Sequence, residues 1–464
     1  MYLYSFIKSK KMSPLKIAAW LMAAAMFLSA FALLTTSAYA SSTPPGTVVA
    51  LLPPELQHPP GTVISQIPQN PPNVALTPPA QIQPAPRPPQ IPRPPSNAPS
   101  MRGMWVTTVI NLDWPSRPGL SNAQMMAEAD RILDNAAAIG INAIFLQVRP
   151  AGDAIYNSAI YPWSKYITGT QGQAPAGGFS PLRYWIDGAH SRGMELHAWI
   201  NPYRVTHSTS NITNVNHLSR DNPARINPTW ARAHGRALYL DPGRPEVRRL
   251  IIDGVVELIT NYNVDGIHFD DYFYPGRDFN DAATFAAFGR GWNCIHNWRR
   301  EQVNILIRDT QRAIRATRPE VRFGVSPFAI WQNRSPTQPL GSNTRGFESY
   351  HQIYSDSRRW VQEGWVDYIV PQIYWRIGFE IADFTTVLHW WRDVVDGTDV
   401  NLYIGMAAWR DAREEPQWSG EMWRQLRYTS RYPDVDGHLF FRAGYMTGRV
   451  GGNIQYFYRN TPAR

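Results

Sequence analysis

Eight short apolar segments alternate with helix-like segments between residues 101 and 446, which predicts an α/β fold, a (β/α)8 TIM-like barrel. The number of segments is the first observation, because eight parallel strands close such a barrel. The second is the helical pattern between consecutive strands, since parallel neighbours need a crossover connection. The third is the clustering of polar and aromatic residues just after the strands, at the ends that form the barrel mouth.

The predicted strands are apolar runs bounded by turn-forming residues. In chain order they are Gly103–Thr108, Asn142–Pro150, Glu195–Tyr203, Gly266–Tyr272, Arg322–Phe328, Val366–Tyr374, Leu402–Trp409 and His438–Arg442. The predicted helices carry apolar residues at spacings of three and four. They are Ala123–Ile139, Leu182–Arg192, Pro245–Asn261, Trp298–Thr317, Ser355–Glu363, Thr385–Val395 and Met422–Tyr428. These elements place one barrel domain at residues 99–464.

The first 40 residues have the pattern of a secretory signal. They contain four lysines, no acid, an apolar run from Ile17 to Leu34, and a small-residue triplet ending at Ala40, where we expect cleavage. A retained membrane anchor is the alternative, because a run of about 18 residues is at the lower limit for spanning a bilayer. We therefore expect export to the periplasm or cell envelope. The single cysteine, Cys294, excludes a disulfide framework within the chain.

Residues 41–98 form a separate segment that we expect to be a disordered stalk. They hold 18 of the 40 prolines, few charges and no aromatic residue, so they cannot bury a core. Prolines at this density favour an extended polyproline II spacer. A docking segment for a proline-recognising protein is the alternative.

The charge pattern argues against nucleic-acid binding. The formal net charge of +9 falls to +5 once the four lysines of the acid-free first 40 residues are set aside. Beyond the first 40 residues, adjacent basic residues occur only as the pairs Arg248-Arg249, Arg299-Arg300 and Arg358-Arg359, all on predicted helices. A nucleic-acid site needs a basic face with stacking aromatics. The modest basic excess fits solubility, or attraction to an anionic polymer.

The aromatic content indicates carbohydrate binding. The chain has 18 Trp and 22 Tyr, many at predicted strand ends, and sugars pack their C–H faces on such rings. Strand alternation turns a polar set toward the barrel axis, where it can bind sugar hydroxyls. That set is Gln147, Arg149, His197, Asn201, His268, Asp270, Ser326 and Gln372.

The segment Asp265–Pro275, DGIHFDDYFYP, carries the strongest catalytic signal. In the predicted strand Ile267 and Phe269 face one side, while His268 and Asp270 face the other. Asp270 therefore lies near the mouth, where a catalytic carboxylate is expected.

Seven segments resemble the glycosyl-hydrolase-like family 10. They are MRGMWVTTVINLDWP (Met101–Pro115), FLQVRPAGDAIYNSAIYPWS (Phe145–Ser164), HAWINPYRV (His197–Val205), LDPGRPEVR (Leu240–Arg248), DGIHFDDYFYP, FGVSPFAIWQNR (Phe323–Arg334) and VDYIVPQIYW (Val366–Trp375). The resemblance implies a TIM-like barrel, export, and hydrolysis of β-1,4 bonds between N-acetylated sugars. The sequence is similar to a divisome-localised member of this family that hydrolyses peptide-free peptidoglycan strands. This similarity implies peptide-free peptidoglycan strands as the substrate. Cell-envelope or divisome proteins are then the implied contacts of the stalk.

Glycosidases commonly use two carboxyl groups, and the second is not obvious here because strands five, six and seven end without an acid. Asp271 is the first candidate, followed by Asp153, Glu348 and Asp113 in that order. Neighbouring strand residues face opposite sides, so Asp271 can act beside Asp270 only if the strand ends or bulges there.

The segment Asp265–Tyr272 also resembles an altered chitinase pattern, DGxDxDxE. The first Asp and the Gly of this pattern are present, and Asp270 matches its third Asp. His268 occupies the position of the middle Asp, and Tyr272 occupies that of the catalytic Glu. In that chemistry the 2-acetamido group of the substrate is the nucleophile.

The chitinase resemblance implies a role for each acid. Asp270 polarises the acetamido group or acts as the nucleophile, and Asp271 is the acid. Tyr272 or Tyr374 holds the acetamide. A purely structural role for Asp271, as a loop cap at the rim, is the alternative.

We expect the substrate to contact polar and aromatic residues around the mouth. These are Gln147, Arg149, Trp199, Asn201, Tyr203, His268, Tyr272, Gln372, Tyr374 and Trp375. Arg149 is expected to bind the lactyl carboxylate of N-acetylmuramic acid, or to pair with Asp270 or Asp153. We expect no metal and no cofactor, since the first strand, GMWVTT, lacks the H-x-H pair of metal-dependent barrels. The competing hypotheses are a catalytically weak or inactive barrel that binds glycan, and a hydrolase of another extracellular polysaccharide.

Overall fold

The computed structural model describes residues 100–413 and 416–460. The predicted signal segment, residues 1–40, and the predicted stalk, residues 41–98, lie outside the described residues. Within the described part, every helix is too short or too polar to cross a membrane.

Eight parallel strands close into a barrel, which confirms the predicted fold class. An antiparallel hairpin lies outside the barrel, and strands are numbered together in chain order. They are β1 (Met101–Val106), β2 (Ala143–Arg149), β3 (Glu195–Ile200), β4 (Ala231–His234), β5 (Ala237–Leu240), β6 (Gly266–Phe269), β7 (Arg322–Val325), β8 (Tyr368–Ile369), β9 (Asn401–Met406) and β10 (Gly437–Phe440). Around the barrel the order is β1-β10-β9-β8-β7-β6-β3-β2, and β4 pairs with β5.

The helices alternate with the barrel strands. They are α1 (Asn122–Ala138), α2 (Lys165–Thr168), α3 (Pro181–His190), α4 (Pro223–Ile226), α5 (Pro245–Asn261), α6 (Ala282–Phe288), α7 (Ile295–Thr317), α8 (Ser349–Gln352), α9 (Ser357–Gln362), α10 (Phe384–Val395), α11 (Ala408–Ala412), α12 (Glu421–Thr429) and α13 (Gly448–Asn460). Local sequence explains their starts. Ser121 and Gln124 form a capping box before α1, and Pro245 occupies the first turn of α5, where its missing N–H costs nothing.

Several strands are shorter at their carboxyl ends than the apolar pattern predicts. A proline follows β2, β3, β7 and β8 within two residues, at Pro150, Pro202, Pro327 and Pro371. Proline has no N–H to donate to a neighbouring strand, so the hydrogen-bonded ladder stops there. The residues beyond these prolines leave the wall and form the mouth.

The barrel axis is filled by large side chains opposite glycines. The interior cluster consists of Met101, Trp105, Ala143, Phe145, Trp199, Tyr368, Val370, Tyr403 and Leu439. A Cβ at Gly266 would overlap the ring of His197, and one at Gly324 would overlap the ring of Tyr368. The glycines of β6 and β7 therefore make the space that these two rings occupy, and the barrel has a closed floor.

The β4–β5 hairpin is an insertion between β3 and α5 that the sequence pattern did not predict. It pairs with the segment that leaves β3: Val205 N–H donates to the Leu238 carbonyl (2.9 Å), and Leu240 N–H donates to the Tyr203 carbonyl (2.8 Å). Arg204 lies in this pairing, opposite Tyr239. The hairpin thus fixes the backbone of the loop after β3 at the mouth.

Candidate active site

The two neighbouring acids follow the end of β6. Asp270 N–H still donates to the carbonyl of Ile200 on β3 (3.1 Å), so Asp270 continues the barrel wall. The chain then turns, and Phe273 N–H donates to the Asp271 carbonyl (3.0 Å). Because the strand has ended, Asp271 is not forced to the opposite face. Its N–H donates to Asp270 Oδ1 (2.9 Å), which places the acids side by side.

A chain of amide groups orients Asp270. Gln147 Oε1 accepts from Thr108 N–H (3.0 Å) and Val109 N–H (2.9 Å), so its NH2 group must point the other way. That group donates to Asn201 Oδ1 (2.7 Å), and Asn201 Nδ2 donates to Asp270 Oδ2 (2.7 Å). Both oxygens of Asp270 therefore accept from N–H donors, an arrangement suited to a carboxylate.

Asp271 has the opposite electrostatic environment. Burial, followed by the adjacent Asp270 charge, raises the pKa of its carboxyl well above the ordinary value. Its Oδ1 is buried and has no hydrogen-bond partner among the described residues. Two adjacent carboxyls in such different surroundings separate into a proton carrier and an anion. Asp271 is thus suited to donate a proton, and Asp270 to accept hydrogen bonds.

Two tyrosines lie near the acids: Tyr272 follows β6, and Tyr374 lies in the loop after β8. The Asp271 charge, then burial, raises the pKa of the Tyr272 phenol, and burial, then the Asp270 charge, raises the pKa of the Tyr374 phenol. Both phenols therefore keep their protons and act as donors. Tyr272 is 48% exposed, so its ring is available to a ligand at the mouth.

His268 lies inside the barrel rather than at the mouth. Its Nε2 is 3.3 Å from Trp105 Nε1 and 3.0 Å from Ser326 Oγ, and its Nδ1 is 3.4 Å from Tyr368 Oη. Burial lowers the pKa of this histidine well below its ordinary value. Because the tryptophan N–H can only donate, Nε2 accepts and Nδ1 carries the proton. The predicted substrate contact of His268 is thus corrected to a place inside the barrel.

Arg149 does not take its predicted inward position. The pairing of β2 with β3 shifts register between Gln147 and Arg149, which interrupts the alternation of faces. Its guanidinium donates to the carbonyls of Asn201 (2.8 Å) and Pro202 (2.7 Å) and lies 4.7 Å from the ring centre of Tyr161. The side chain is buried and holds the loop after β3 in place; it pairs with no acid.

Two other predicted substrate contacts are buried. Tyr203 is fully buried and packs at 6.5 Å from the ring of Phe273, away from the mouth. Trp199 is 5% exposed and belongs to the barrel interior, where its Nε1 has no partner among the described residues. Tyr203 is therefore a packing residue, whereas Trp199 lies in the interior cluster.

Gln372 and Trp375 lie in the loop after β8 and are half-buried. Gln372 Nε2 donates to the Ser326 carbonyl (2.8 Å), which ties this loop to the end of β7. Trp375 packs edge-on against Phe328 at 5.7 Å, and Phe328 against Phe347 at 5.0 Å. Phe347 is 46% exposed, so the β7–β8 side of the mouth is aromatic.

The other candidate acids brace loops. Asp153 is buried and accepts from Gln171 Nε2 (2.9 Å). Glu348 accepts from the Asn333 N–H (2.8 Å) and from His351. Asp113 forms an ion pair with Arg442. Glu348 and Asp113 are thus engaged in ion pairs, whereas Asp153 has a buried Oδ1 without a partner among the described residues and a pKa raised by burial, so it stays the second candidate acid.

Three mouth residues escaped sequence reasoning: Ile110, Lys165 and Arg204. Ile110 has φ 48°, a left-handed conformation that is strained for a β-branched residue, and it is 37% exposed. Arg204 lies 5.3 Å from the ring centre of Tyr272. Ile110 and Arg204 come just after predicted strands, and Lys165 is the only lysine after residue 16; these were the sequence signals for them. Among the described residues no group of His, Cys, Asp and Glu is arranged to hold a metal ion.

Comparison with known proteins gives the family. The model of the family described as Glycosyl hydrolase-like 10 matches residues 100–420. The glycosyl hydrolase YngK of Bacillus subtilis (strain 168) is 42% identical over 350 residues, which are 74% of this chain and 68% of YngK. The glycosyl hydrolase DigH of Escherichia coli (strain K12) is 40% identical over 400 residues, 81% of this chain and 89% of DigH.

A solved structure supports the fold. The glycoside hydrolase domain of PgaB (BpsB) from Bordetella bronchiseptica aligns with a TM-score of 0.50 and 13% identity, covering 77% of this chain and 98% of that domain. The barrel, the paired acids and the family match lead to one conclusion: this chain belongs to the Glycosyl hydrolase-like 10 family and is a glycoside hydrolase.

Proposed function

We propose that this glycoside hydrolase is exported and cleaves β-1,4 bonds between N-acetylated sugars of cell-wall glycan, with peptide-free peptidoglycan strands as its substrate. The observation that carries the chemistry is the adjacent pair Asp270 and Asp271. One carboxyl is surrounded by N–H donors, and the other has a raised pKa. The first 40 residues and the sequence resemblance support the choice of compartment and of glycan.

Asp271 is proposed as the general acid. Its raised pKa keeps the proton on the carboxyl to a higher pH than in an ordinary aspartic acid, and the proton passes to the glycosidic oxygen as the bond to the anomeric carbon breaks. After the leaving sugar departs, the same carboxylate takes a proton from the attacking water.

Asp270 is proposed to act on the anomeric centre through the substrate's own acetamido group. In this route the acetamido oxygen attacks the anomeric carbon, and Asp270 accepts a hydrogen bond from the acetamido N–H, which stabilises the positive charge that develops on the group. Direct attack by Asp270 is the second route. The first is favoured because the two acids are sequence neighbours on one side of the mouth, not opposed across a sugar, and both Asp270 oxygens already accept hydrogen bonds.

The phenols of Tyr272 and Tyr374 are proposed to hold the acetamide. Each phenol keeps its proton beside the acids, so each can donate to the acetamido carbonyl oxygen. Such a donor aims the oxygen at the anomeric carbon. Residues 41–98 are proposed as a stalk that contacts cell-envelope or division proteins.

The test uses purified protein and three glycans: intact peptidoglycan sacculi, sacculi stripped of stem peptides by an amidase, and chitosan as a deacetylated glycan. Mass spectrometry should find soluble oligosaccharides from the stripped sacculi alone. Asp270→Asn and Asp271→Asn should abolish release, whereas Asp253→Asn, on the half-exposed side of α5, should not. Release from intact sacculi at the same rate would contradict the peptide-free preference, and release from chitosan would contradict acetamido participation.

Export is tested separately by fractionating cells that produce the full chain. The mass of the protein in the envelope fraction should correspond to cleavage after Ala40. Full-length protein retained in the membrane would support the anchor alternative instead.

A further inference from the structure

We propose that Arg204 and Lys165 form a site for a carboxylate carried by the glycan, beside the catalytic acids. This inference rests on the proposed function and names what selects the substrate. The site lies where the loops after β2 and β3 meet, next to Tyr272.

Arg204 has no carboxylate within ion-pair distance among the described residues, although its charge lowers the pKa of the neighbouring Asp271. Its guanidinium lies 5.3 Å from the ring centre of Tyr272 and makes a long hydrogen bond, 3.4 Å, to the Pro150 carbonyl. Among the described residues it forms no ion pair. A half-buried guanidinium with free donors suits a carboxylate, which it can bind through two parallel hydrogen bonds.

Lys165 is the only lysine after residue 16, whereas arginine supplies every other basic side chain of the barrel. It begins α2, is half-buried, and places its Nζ 5.6 Å from the ring centre of Tyr166. In the described structure it pairs with no carboxylate. Asn111 Nδ2 donates to the Tyr166 carbonyl (2.8 Å), which ties α2 to the loop after β1 at the mouth.

The two cations act on the same neighbours. Burial, then Arg204, then Lys165 lower the pKa of His207 to about 4, so this histidine is neutral and adds no competing charge. The nearby acid, Asp153, is buried and accepts from Gln171; burial raises its pKa, and the Lys165 charge lowers it in part. Burial and the Asp270 charge raise the pKa of Asp271, and Arg204 lowers it in part. The positive charge of the site is therefore left for a ligand.

The ligand class follows from the neighbours. A sugar bound with its acetamido group at Asp270 has Tyr272 beside it and the Arg204 guanidinium beyond that ring. A carboxylate on the sugar, either a lactyl ether as in N-acetylmuramic acid or a uronic acid, is the group that two unpaired cations at this position would bind. The site replaces Arg149, whose Nη2 donates to two backbone carbonyls and whose Nη1 is buried without a partner among the described residues.

The test compares kcat/KM of the full chain on three substrates: peptide-free glycan strands, the same strands with lactyl carboxylates converted to neutral amides, and chitin oligosaccharides. Variants are Arg204→Gln, Lys165→Gln and Lys165→Arg, with Arg249→Gln on the exposed side of α5 as the matched control. For each, the ratio of kcat/KM on carboxylated strands to that on amidated strands is the readout. We expect each Gln variant to lower this ratio about 10-fold, mostly through KM, as is typical for losing one charged hydrogen bond. Lys165→Arg should restore most of it.

Calorimetry with a lactyl-bearing tetrasaccharide, tetraglucuronate and chitotetraose distinguishes the sources of the carboxylate and keeps the inference testable without turnover. Preference of the lactyl ligand over both others supports the lactyl site, and preference of tetraglucuronate moves the substrate class to uronic acid glycans. If the wild type cleaves strands but the ratio is unchanged in Arg204→Gln and Lys165→Gln, the carboxylate site is wrong while the proposed function stands. If the wild type cleaves none of the substrates, the proposed function fails. Equal binding of all three tetramers would then overturn the site as well.

Discussion

The floor of the barrel and its mouth both contain inward polar residues, but they differ in what their polar atoms contact. On the floor, Trp105 donates to His268, and this hydrogen bond fixes the His268 tautomer. His268 can therefore donate to Tyr368, Tyr368 can donate to His197, and His197 can donate to Glu195 (2.9 Å). At the mouth, the Gln147–Asn201–Asp270 chain ends beside a carboxyl with a buried, unpartnered oxygen. A closed network is structural, while a network that stops at an unpartnered acid is poised for a substrate.

The largest effect expected from this difference is the loss of activity in Asp270→Asn. The amide cannot supply the negative charge that the reacting centre requires, so kcat on the glycan should fall by about 10³-fold or more. The measurement is release of oligosaccharides under single-turnover conditions. Unfolding monitored in parallel should show an intact fold; retained activity above a tenth of wild type would contradict the assignment.

The second effect is on the pH dependence of Asp271. The raised pKa means that the acid is protonated at low pH and loses its proton only as pH rises through that raised value. Activity should therefore persist to a higher pH than an ordinary aspartic acid allows, then fall. In Asp271→Asn that alkaline limb should disappear along with about 10² to 10⁴ of the rate. An unchanged limb in the variant would assign it to another group.

The third effect tests the amide chain of the mouth. Asn201→Ala removes the donor to Asp270 Oδ2 and leaves that oxygen free to turn, so kcat should fall by about 10- to 100-fold with the fold intact. Asn201→Asp is the matched variant, since it keeps the shape but places an acceptor against the carboxylate. Equal activity in both variants and wild type would show that Asp270 needs no positioning.

The floor should respond in stability and not in chemistry. Tyr368→Phe removes the hydroxyl between His197 and His268 and leaves buried nitrogen atoms without partners. We expect the free energy of unfolding to fall by about 1–3 kcal/mol, with kcat on the glycan within about threefold of wild type. Denaturant unfolding and the same cleavage assay measure the two quantities; a large loss of kcat in a folded variant would remove the distinction between floor and mouth.

The smallest expected effect is a gain in the free energy of unfolding, whereas the other variants lose activity or stability. A carboxyl whose pKa is raised on folding stabilises the fold fully only below the unfolded value of 3.8, and that contribution is lost as pH rises through the folded pKa. Asp271→Asn removes this cost, so at neutral pH it should raise the free energy of unfolding by about 0.5–2 kcal/mol. Comparison with Asp253→Asn at pH 3 and pH 7 isolates the effect, which should be much smaller at pH 3 than at pH 7.

The sequence predicted the fold because the alternation of strands and helices is a local pattern repeated around the whole barrel. Strand parity also put Gln147, Asn201 and Asp270 on one face, and in the structure hydrogen bonds join these three side chains. Arg149 was misplaced because a register shift in β2 depends on pairing with β3 and leaves no trace in the residues themselves. Arg204 was missed because its position depends on the inserted hairpin, a contact between segments distant in sequence.

The sequence predicted that Asp271 could lie beside Asp270 only if the strand ended or bulged there, and in the structure the strand ends before it. Apolar alternation continues through Phe273, so the pattern alone extended the strand to Tyr272. The observed strand ends at Phe269, and the turn that follows brings the second acid beside the first. Hydrogen bonding of the backbone, not side-chain pattern, decided which face Asp271 occupies.

The most direct test of the account is cleavage of 2,4-dinitrophenyl β-chitobioside by Asp271→Asn and Asp270→Asn. This leaving group departs without protonation, so a general acid is not needed, whereas charge at the anomeric centre still is. We expect Asp271→Asn to cleave the aryl glycoside at close to the wild-type rate but not to cleave the glycan. We expect Asp270→Asn to cleave neither substrate. Equal loss on both substrates in Asp271→Asn would contradict its role as the acid.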